Sequence, residues 1–293
     1  MTSGDRGTRA VVAMLAAVAL FSLMDAGLKL LSSQYPAFQV AALRGAASLP
    51  FVLAWALATT GLRPLLRVRW SLHLLRGVLG VAMMWGFVYA LRTLPLSTAY
   101  SIFFVAPLLI TALSVPFLGE QVGPRRWIAI AIGLVGVLVV LRPTGDGVLT
   151  VAGLAVLLAA LGYAVSAITV RLLARTDSTQ AMVVWLMALM AVGAGAFAWP
   201  DWVPVRGEHA WLIAGIGVAG ALGQYAITEA FRLGQASLLA PLEYTALLWG
   251  VLLDLTIWGV LPDGVTWIGS AIIIASGLYL LRRERVHLEA EHP

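Results

Sequence analysis

Apolar runs of about twenty residues follow one another along almost the whole chain, separated by short polar or Pro/Gly-bearing breaks. Each run is long enough to cross a bilayer once as an α-helix. The runs are continuous and lack the in/out alternation of barrel strands. They predict ten helices, at 10–31, 36–60, 70–91, 97–118, 124–141, 150–173, 179–199, 209–232, 237–260 and 264–281. The breaks carry turn chemistry: Pro36, Gly61-Leu62-Arg63-Pro64, Leu94-Pro95, Gly123-Pro124, Arg142-Pro143-Thr144-Gly145, Pro200 and Pro262-Asp263-Gly264.

Composition identifies the solvent. Of 293 residues, 61% are apolar and 11% charged, against roughly 45–50% and 25% for a soluble domain. So few charges cannot cover a water-facing surface, which excludes a water-soluble enzyme and points to the lipid bilayer as partner. No cysteine is present, so disulfide frameworks and thiolate metal sites are excluded. The net charge of +5 sits in short basic clusters between apolar runs. That is a topology signal and not a phosphate-binding stripe, so no nucleic-acid partner is expected. With a cytoplasmic N-terminus, 14 Lys and Arg fall on the inner side and 4 on the outer, with Arg44 inside a helix. This predicts a multi-pass protein of a bacterial-type inner membrane with both termini cytoplasmic. Arg6 and Arg9 before an apolar run resemble a signal peptide, but the run continues to Leu31 and is read as the first helix. Trp70, Trp127, Trp199, Trp202, Trp211, Trp258 and Trp267 fall near helix ends, as an interfacial belt requires.

Residues 77–142 align with 217–282 without a gap. Gly77, Gly80, Ala90, Arg92, Ser97, Gly119, Trp127 and Arg142 meet identical residues at Gly217, Gly220, Ala230, Arg232, Ser237, Gly259, Trp267 and Arg282. The chain is therefore read as a duplication, with 1–145 and 146–293 as its two five-helix halves. Five is odd, so the second copy enters the membrane from the opposite side. Inverted repeats of this kind are common in secondary transporters, with the solute site near the midplane between the halves.

The stretch Leu118-Gly119-Glu120-Gln121, followed by Trp127, Gly133, Gly136-Val137 and Leu141, resembles the end of an EamA domain. The chain thus resembles the drug/metabolite transporter superfamily, and in length and helix count it is most similar to the YddG-type amino acid exporters. The second half departs from the motif, since Gly259 is followed by Val260 and not by Glu. The resemblance implies an all-α integral membrane fold of ten transmembrane helices in two inverted repeats. It also implies a secondary transporter, not an enzyme, that exports amino acids (aromatic ones included) or related small amphipathic metabolites by alternating access. A multidrug or other metabolite exporter is the alternative within the class. A non-transporting assembly or lipid-handling protein is the alternative outside it. A small-molecule substrate, no cofactor, no metal and a monomeric unit are expected.

An ionisable side chain at membrane depth costs roughly 2.5–3.5 kcal/mol, so each marks a candidate. Asp25 and Arg44 lie at matching depths on the first two helices. They are candidates for solute binding, and a structural ion pair, or Asp25 paired with Lys29 one turn away, accounts for them as well. Glu243 follows Pro241 and suits a cationic amine or a coupling proton. Glu229 and Asp254 suit the same chemistry or a solvated vestibule. Trp85 and Tyr89 share a helix face. With Tyr163, Trp185, Tyr244 and Gln224 they form an aromatic and amide set suited to an amphipathic or aromatic solute. Ordinary packing or lipid contact is the competing role for each. Pro107 and Pro241, in the fourth and ninth helices, are the expected gating kinks.

Overall fold

A computed structural model of the protein describes residues 3–119, 123–141, 150–173, 175–233 and 242–291. Every regular element among them is helical: α1 (Ser3–Ser32), α2 (Ala37–Thr59), α3 (Arg63–Leu66), α4 (Trp70–Leu91), α5 (Leu96–Phe103), α6 (Ala106–Leu118), α7 (Pro124–Leu141), α8 (Val151–Leu173), α9 (Thr179–Ala198), α10 (Ala210–Leu233), α11 (Ala246–Leu253) and α12 (Gly264–Glu291). Among the described residues, seven helical segments are long and apolar enough to cross a membrane, in α1, α2, α4, the α5–α6 pair, α8, α9 and α10. Shorter apolar helices at Trp127–Leu141, Ala246–Trp258 and Gly264–Tyr279 occupy the places of predicted helices five, nine and ten. Helices dominate because a backbone in hydrocarbon must satisfy its own N–H and C=O groups. Of the seven Trp expected near helix ends, Trp70, Trp127, Trp199, Trp202, Trp211 and Trp267 are exposed, and Trp258 is partly buried beneath Lys29.

The structure corrects several expected boundaries. Predicted helix 97–118 is two helices, α5 and α6, separated at Phe104–Val105. Pro107 has no N–H to offer the carbonyl of Phe103 and its ring crowds that carbonyl. The chain tightens there, with Val105 N–H donating to Ile102 O at 3.2 Å. Predicted helix 237–260 is described from residue 242 onward and turns at Tyr244–Thr245 before α11, which ends in a π-turn at Asp254–Trp258. Predicted helix 264–281 continues to Glu291, and the short helix α3 begins inside the 61–64 break.

Extensive pairings join α1 with α10, α4 with α8, α2 with α9, and α7 with α12, while α2 also meets α10 and α4 also meets α9. Small residues set these distances, since packing and not hydrophobicity drives helix association in lipid. A Cβ on Gly86 of α4 would lie 3.0 Å from the Ala155 carbonyl of α8, and one on Gly269 of α12 would lie 2.8 Å from the Gly136 carbonyl of α7. An apolar groove between α7 and α12 is lined by Ile128, Ile132, Ile272 and Tyr279.

The turn between α8 and α9 is tied to the start of α4. Asp177 Oδ2 accepts from the Arg69 N–H at 2.9 Å and lies 2.8 Å from Nε2 of buried His73, while Thr176 Oγ1 donates to Oδ1 at 2.6 Å. Burial alone pushes the Asp177 carboxyl up. The hydrogen bonds from Thr176, Arg69 and His73, with the His73 charge, outweigh it and hold the carboxyl below the usual carboxylate value. A depressed folded value stabilises the protein above the ordinary Asp range near about 4, and that share is lost as pH falls through the folded value. Asp177→Asn should therefore melt below wild type at pH 7. The gap should narrow progressively as pH falls below the ordinary Asp range of about 4, as followed by melting temperature in detergent; a gap constant with pH would refute the assignment.

Candidate functional site

The two helix interruptions meet in the interior. Phe104, at the α5–α6 break, lies edge-on to Tyr244, at the turn before α11, with ring centroids 5.1 Å apart and planes at 81°. Backbone at each break departs from the α pattern: Thr245 N–H donates to Leu242 O at 3.0 Å and Leu247 N–H to Tyr244 O at 3.1 Å. Interrupted helices at membrane depth are tolerated where protein or a polar cavity covers them, and transporters place solute sites at such points.

From the break an aromatic chain runs through the bundle. Phe103 of α5 lies 5.4 Å from Tyr163 of α8 and 6.0 Å from Phe87 of α4, and Phe87 stacks on Tyr100 of α5 at 6.3 Å and 15°. Glu243 is partly buried beside this chain, close enough for its charge to act on the hydroxyls of both Tyr163 and Tyr244. The Tyr244 hydroxyl is buried against Gly277 of α12 and has no hydrogen-bond partner among the described residues.

At its other end the chain reaches charge. The Tyr100 hydroxyl donates to Asp25 Oδ2 at 2.9 Å. Asp25 and Arg44 act electrostatically on one another. The Arg44 guanidinium touches thioether sulfur, with Nε 3.3 Å from Met24 Sδ and Nη1 3.5 Å from Met190 Sδ. Both charged residues keep partial exposure inside spanning helices, Asp25 in Thr8–Ser32 and Arg44 in Ala37–Thr59. The apolar groove between α7 and α12 shares no lining residue with this constellation.

Several expected site residues thus converge: Tyr163, Tyr244 and Glu243 around the breaks, Asp25 and Arg44 beyond Tyr100, and Pro107 at the break itself. Others are placed elsewhere. Trp85 and Tyr89 stack on each other at 5.6 Å, and Trp85 stacks on Phe38, which stacks in turn on Phe197. Phe197 is 66% exposed and Trp85 36%, while Phe38 and Tyr89 pack against the core, so the ladder runs from the core to the surface. Trp185 donates to the Leu65 carbonyl at 2.7 Å and meets Trp70 edge-on, a belt anchor at the α3 end of the bundle. Gln224 is partly buried on α10, beside Gly223, which packs on Phe21 of α1. Pro241 lies outside the described residues.

Lys29 does not pair with Asp25. Its ammonium lies 3.0 Å from Asp254 Oδ1 and 4.1 Å from the centre of the Trp258 ring. Asp254 also accepts from the Leu96 N–H at 2.9 Å, the Ser97 N–H at 2.8 Å and the Ser97 hydroxyl at 2.7 Å. Fully satisfied and 0% exposed, it caps α5 and locks α1, α5 and α11 together, so its role here is structural. Tyr100, Phe87, Phe103 and Phe104 escaped the reading of the sequence. Tyr100 carried a usable signal, a hydroxyl inside a span that must find a polar partner; the phenylalanines carried none.

Comparisons with known proteins identify the family. The chain is 32% identical over 279 residues to a riboflavin transporter of Vibrio cholerae, covering 92% of each chain. It is 34% identical over 215 residues to a riboflavin transporter of Rhizobium johnstonii, covering 72% of this chain and 70% of that protein. It is 27% identical over 268 residues to the pseudopaline exporter of Pseudomonas aeruginosa, covering 90% and 93%. A solved structure with 22% identity superposes at a TM-score of 0.67 over 93% of this chain and 96% of its own, which carries the fold. The profile of the EamA-like transporter family matches twice in tandem, at residues 8–142 and 150–282. With interrupted spans meeting at a polar and aromatic centre, this multi-pass membrane protein is a transporter and not an enzyme, and it belongs to the EamA-like transporter family of the drug/metabolite transporter superfamily.

Proposed function

We propose that the chain carries a small amphipathic solute with a planar ring system, the flavin class first, by alternating access through the centre where the helix breaks meet. The carrying observation is the ring sequence Tyr163, Phe103, Phe87 and Tyr100 leading from that break, with Glu243 beside it. Offset and edge-on aromatic faces suit a flat heterocycle, and Glu243 supplies an acceptor for ring N–H or amine groups. That two similar proteins are riboflavin transporters supports the same class. A second reading, export of amino acids including aromatic ones, is favoured by Asp25 and Arg44, whose opposite charges complement a zwitterion.

The same proposal takes the ten apolar helices as crossings in two inverted halves, 1–145 and 146–293, with both termini cytoplasmic in a bacterial-type inner membrane. Support comes from the helix pairing: exchanging the halves turns α1 on α10 into α8 on α4, and α2 on α10 into α9 on α4. Gly119 and Gly259, matched in the repeat alignment, both end their helices in the left-handed region, at φ 70° and 67°.

Labelled riboflavin and a labelled amino acid panel offered to proteoliposomes test the solute class. Saturable riboflavin uptake, competed by unlabelled riboflavin and indifferent to mixed amino acids, is expected. Tyr163→Ala should weaken it by roughly tenfold, the upper end of what one ring contact supplies. Saturable amino acid uptake with riboflavin at the level of empty liposomes would replace the flavin reading with the second one.

A further inference from the structure

We infer that Asp25, Arg44 and Tyr100 form a separate polar subsite that accepts an uncharged, hydroxyl-bearing tail and refuses a phosphorylated one. The inference rests on the flavin reading and deepens it, because the aromatic chain accounts for a ring but leaves Asp25, Arg44 and the Tyr100 hydroxyl without a task.

The chemistry follows from what each group still lacks. A carboxylate has about four lone-pair sites, and the only hydrogen bond to Asp25 among the described residues comes from Tyr100 at 2.9 Å. A guanidinium has five N–H donors, and those of Arg44 meet only the sulfurs of Met24 and Met190 among the described residues. Thioether sulfur is a weak acceptor, so two strong hydrogen-bonding groups stand side by side with capacity left over. Both keep partial exposure at membrane depth, which is the condition for a solute to reach them. Lys29, one turn further along α1, is engaged by Asp254 and leaves the local charge balanced.

A balanced pair of opposite charges discriminates by sign. A hydroxyl both donates and accepts, so a polyol bridges Asp25 and Arg44 and satisfies each. A phosphate satisfies Arg44 but brings two negative charges against Asp25, where the low dielectric magnifies repulsion. A tail-less ring leaves both groups unpaired, a loss worth on the order of tenfold or more in affinity where a charged partner is involved.

Competition against labelled riboflavin uptake in proteoliposomes tests this with three unlabelled probes: riboflavin, lumichrome (the ring without the polyol) and riboflavin 5′-phosphate. Wild type should rank riboflavin at least about tenfold above lumichrome, with the phosphate without effect. Asp25→Asn should shrink the lumichrome gap and let the phosphate compete at least tenfold better. That gain is one no loss of folding can imitate. Tyr100→Phe, which keeps both charges, should narrow the lumichrome gap but still exclude the phosphate. Unchanged ratios in Asp25→Asn with riboflavin uptake intact would overturn the subsite alone. Absence of riboflavin uptake in wild type would overturn the flavin reading, and this subsite with it.

Discussion

Asp254→Ala should destabilise the protein by about 3–5 kcal/mol, the range found when one partner of a buried pair is removed. The carboxylate is 0% exposed and collects four donors from two other helices. Two of these are backbone N–H groups in the first turn of α5, which have no partner inside their own helix. With alanine in place the Lys29 ammonium keeps only the face of Trp258, a contact of about 0.5–2 kcal/mol that cannot offset a buried charge. Asp254→Asn should cost less, since its amide oxygen still accepts from α5. Lys29→Met on that background should recover part of the loss by removing the stranded cation. Apparent melting temperatures of the four proteins in one detergent decide the matter. An Asp254→Ala protein that melts with wild type would mean that α5 needs no cap and that Lys29 reaches another acceptor.

That pair shows where reading the sequence stops. Lys29 and Asp254 are separated by 225 positions, and one-turn spacing on the first helix offered Asp25 as a nearer partner. The long spans were legible because twenty apolar residues have one satisfactory backbone in lipid. The interruption at Phe104–Val105 was legible only as a kink at Pro107. Whether a proline bends a helix or divides it depends on what receives the freed backbone, and here Tyr244 packs on Phe104 at the break.

The candidate site divides in the same way. Asp25, Arg44, Glu243, Tyr163 and Tyr244 stood out because each is polar in apolar surroundings. Phe87, Phe103 and Phe104 look like every other apolar residue until their neighbours are known. Trp85, Tyr89 and Trp185 were grouped with the site because periodicity tells which residues share a face. It does not tell which way that face turns in the bundle.

Gly45→Val and Gly217→Val should each reach or exceed the roughly 3 kcal/mol end of the overpacking range, and should leave little monodisperse protein in gel filtration. Helix α2 is pinched between α9 and α10. A Cβ on Gly45 would lie 2.7 Å from Ala191 N and 2.9 Å from Met187 O, both backbone atoms of α9. A Cβ on Gly217 of α10 would lie 2.5 Å from the Ala47 carbonyl of α2. Gly45 and Ala47 are two residues apart, about 200° around the helix, so the two contacts press on nearly opposite sides of α2. A flexible side chain yields at such distances, but helical backbone does not, so relief requires a whole helix to move. In lipid that movement forfeits the packing that holds the helices together. Gly215→Val is the control, because a Cβ there meets nothing within 4 Å although it sits on the same helix. If Gly215→Val fails as badly as Gly217→Val, the intolerance belongs to α10 as a helix and the pinch of α2 is not its cause. If Gly217→Val fails and Gly215→Val does not, the backbone contact with α2 is what fixes the separation of these two helices.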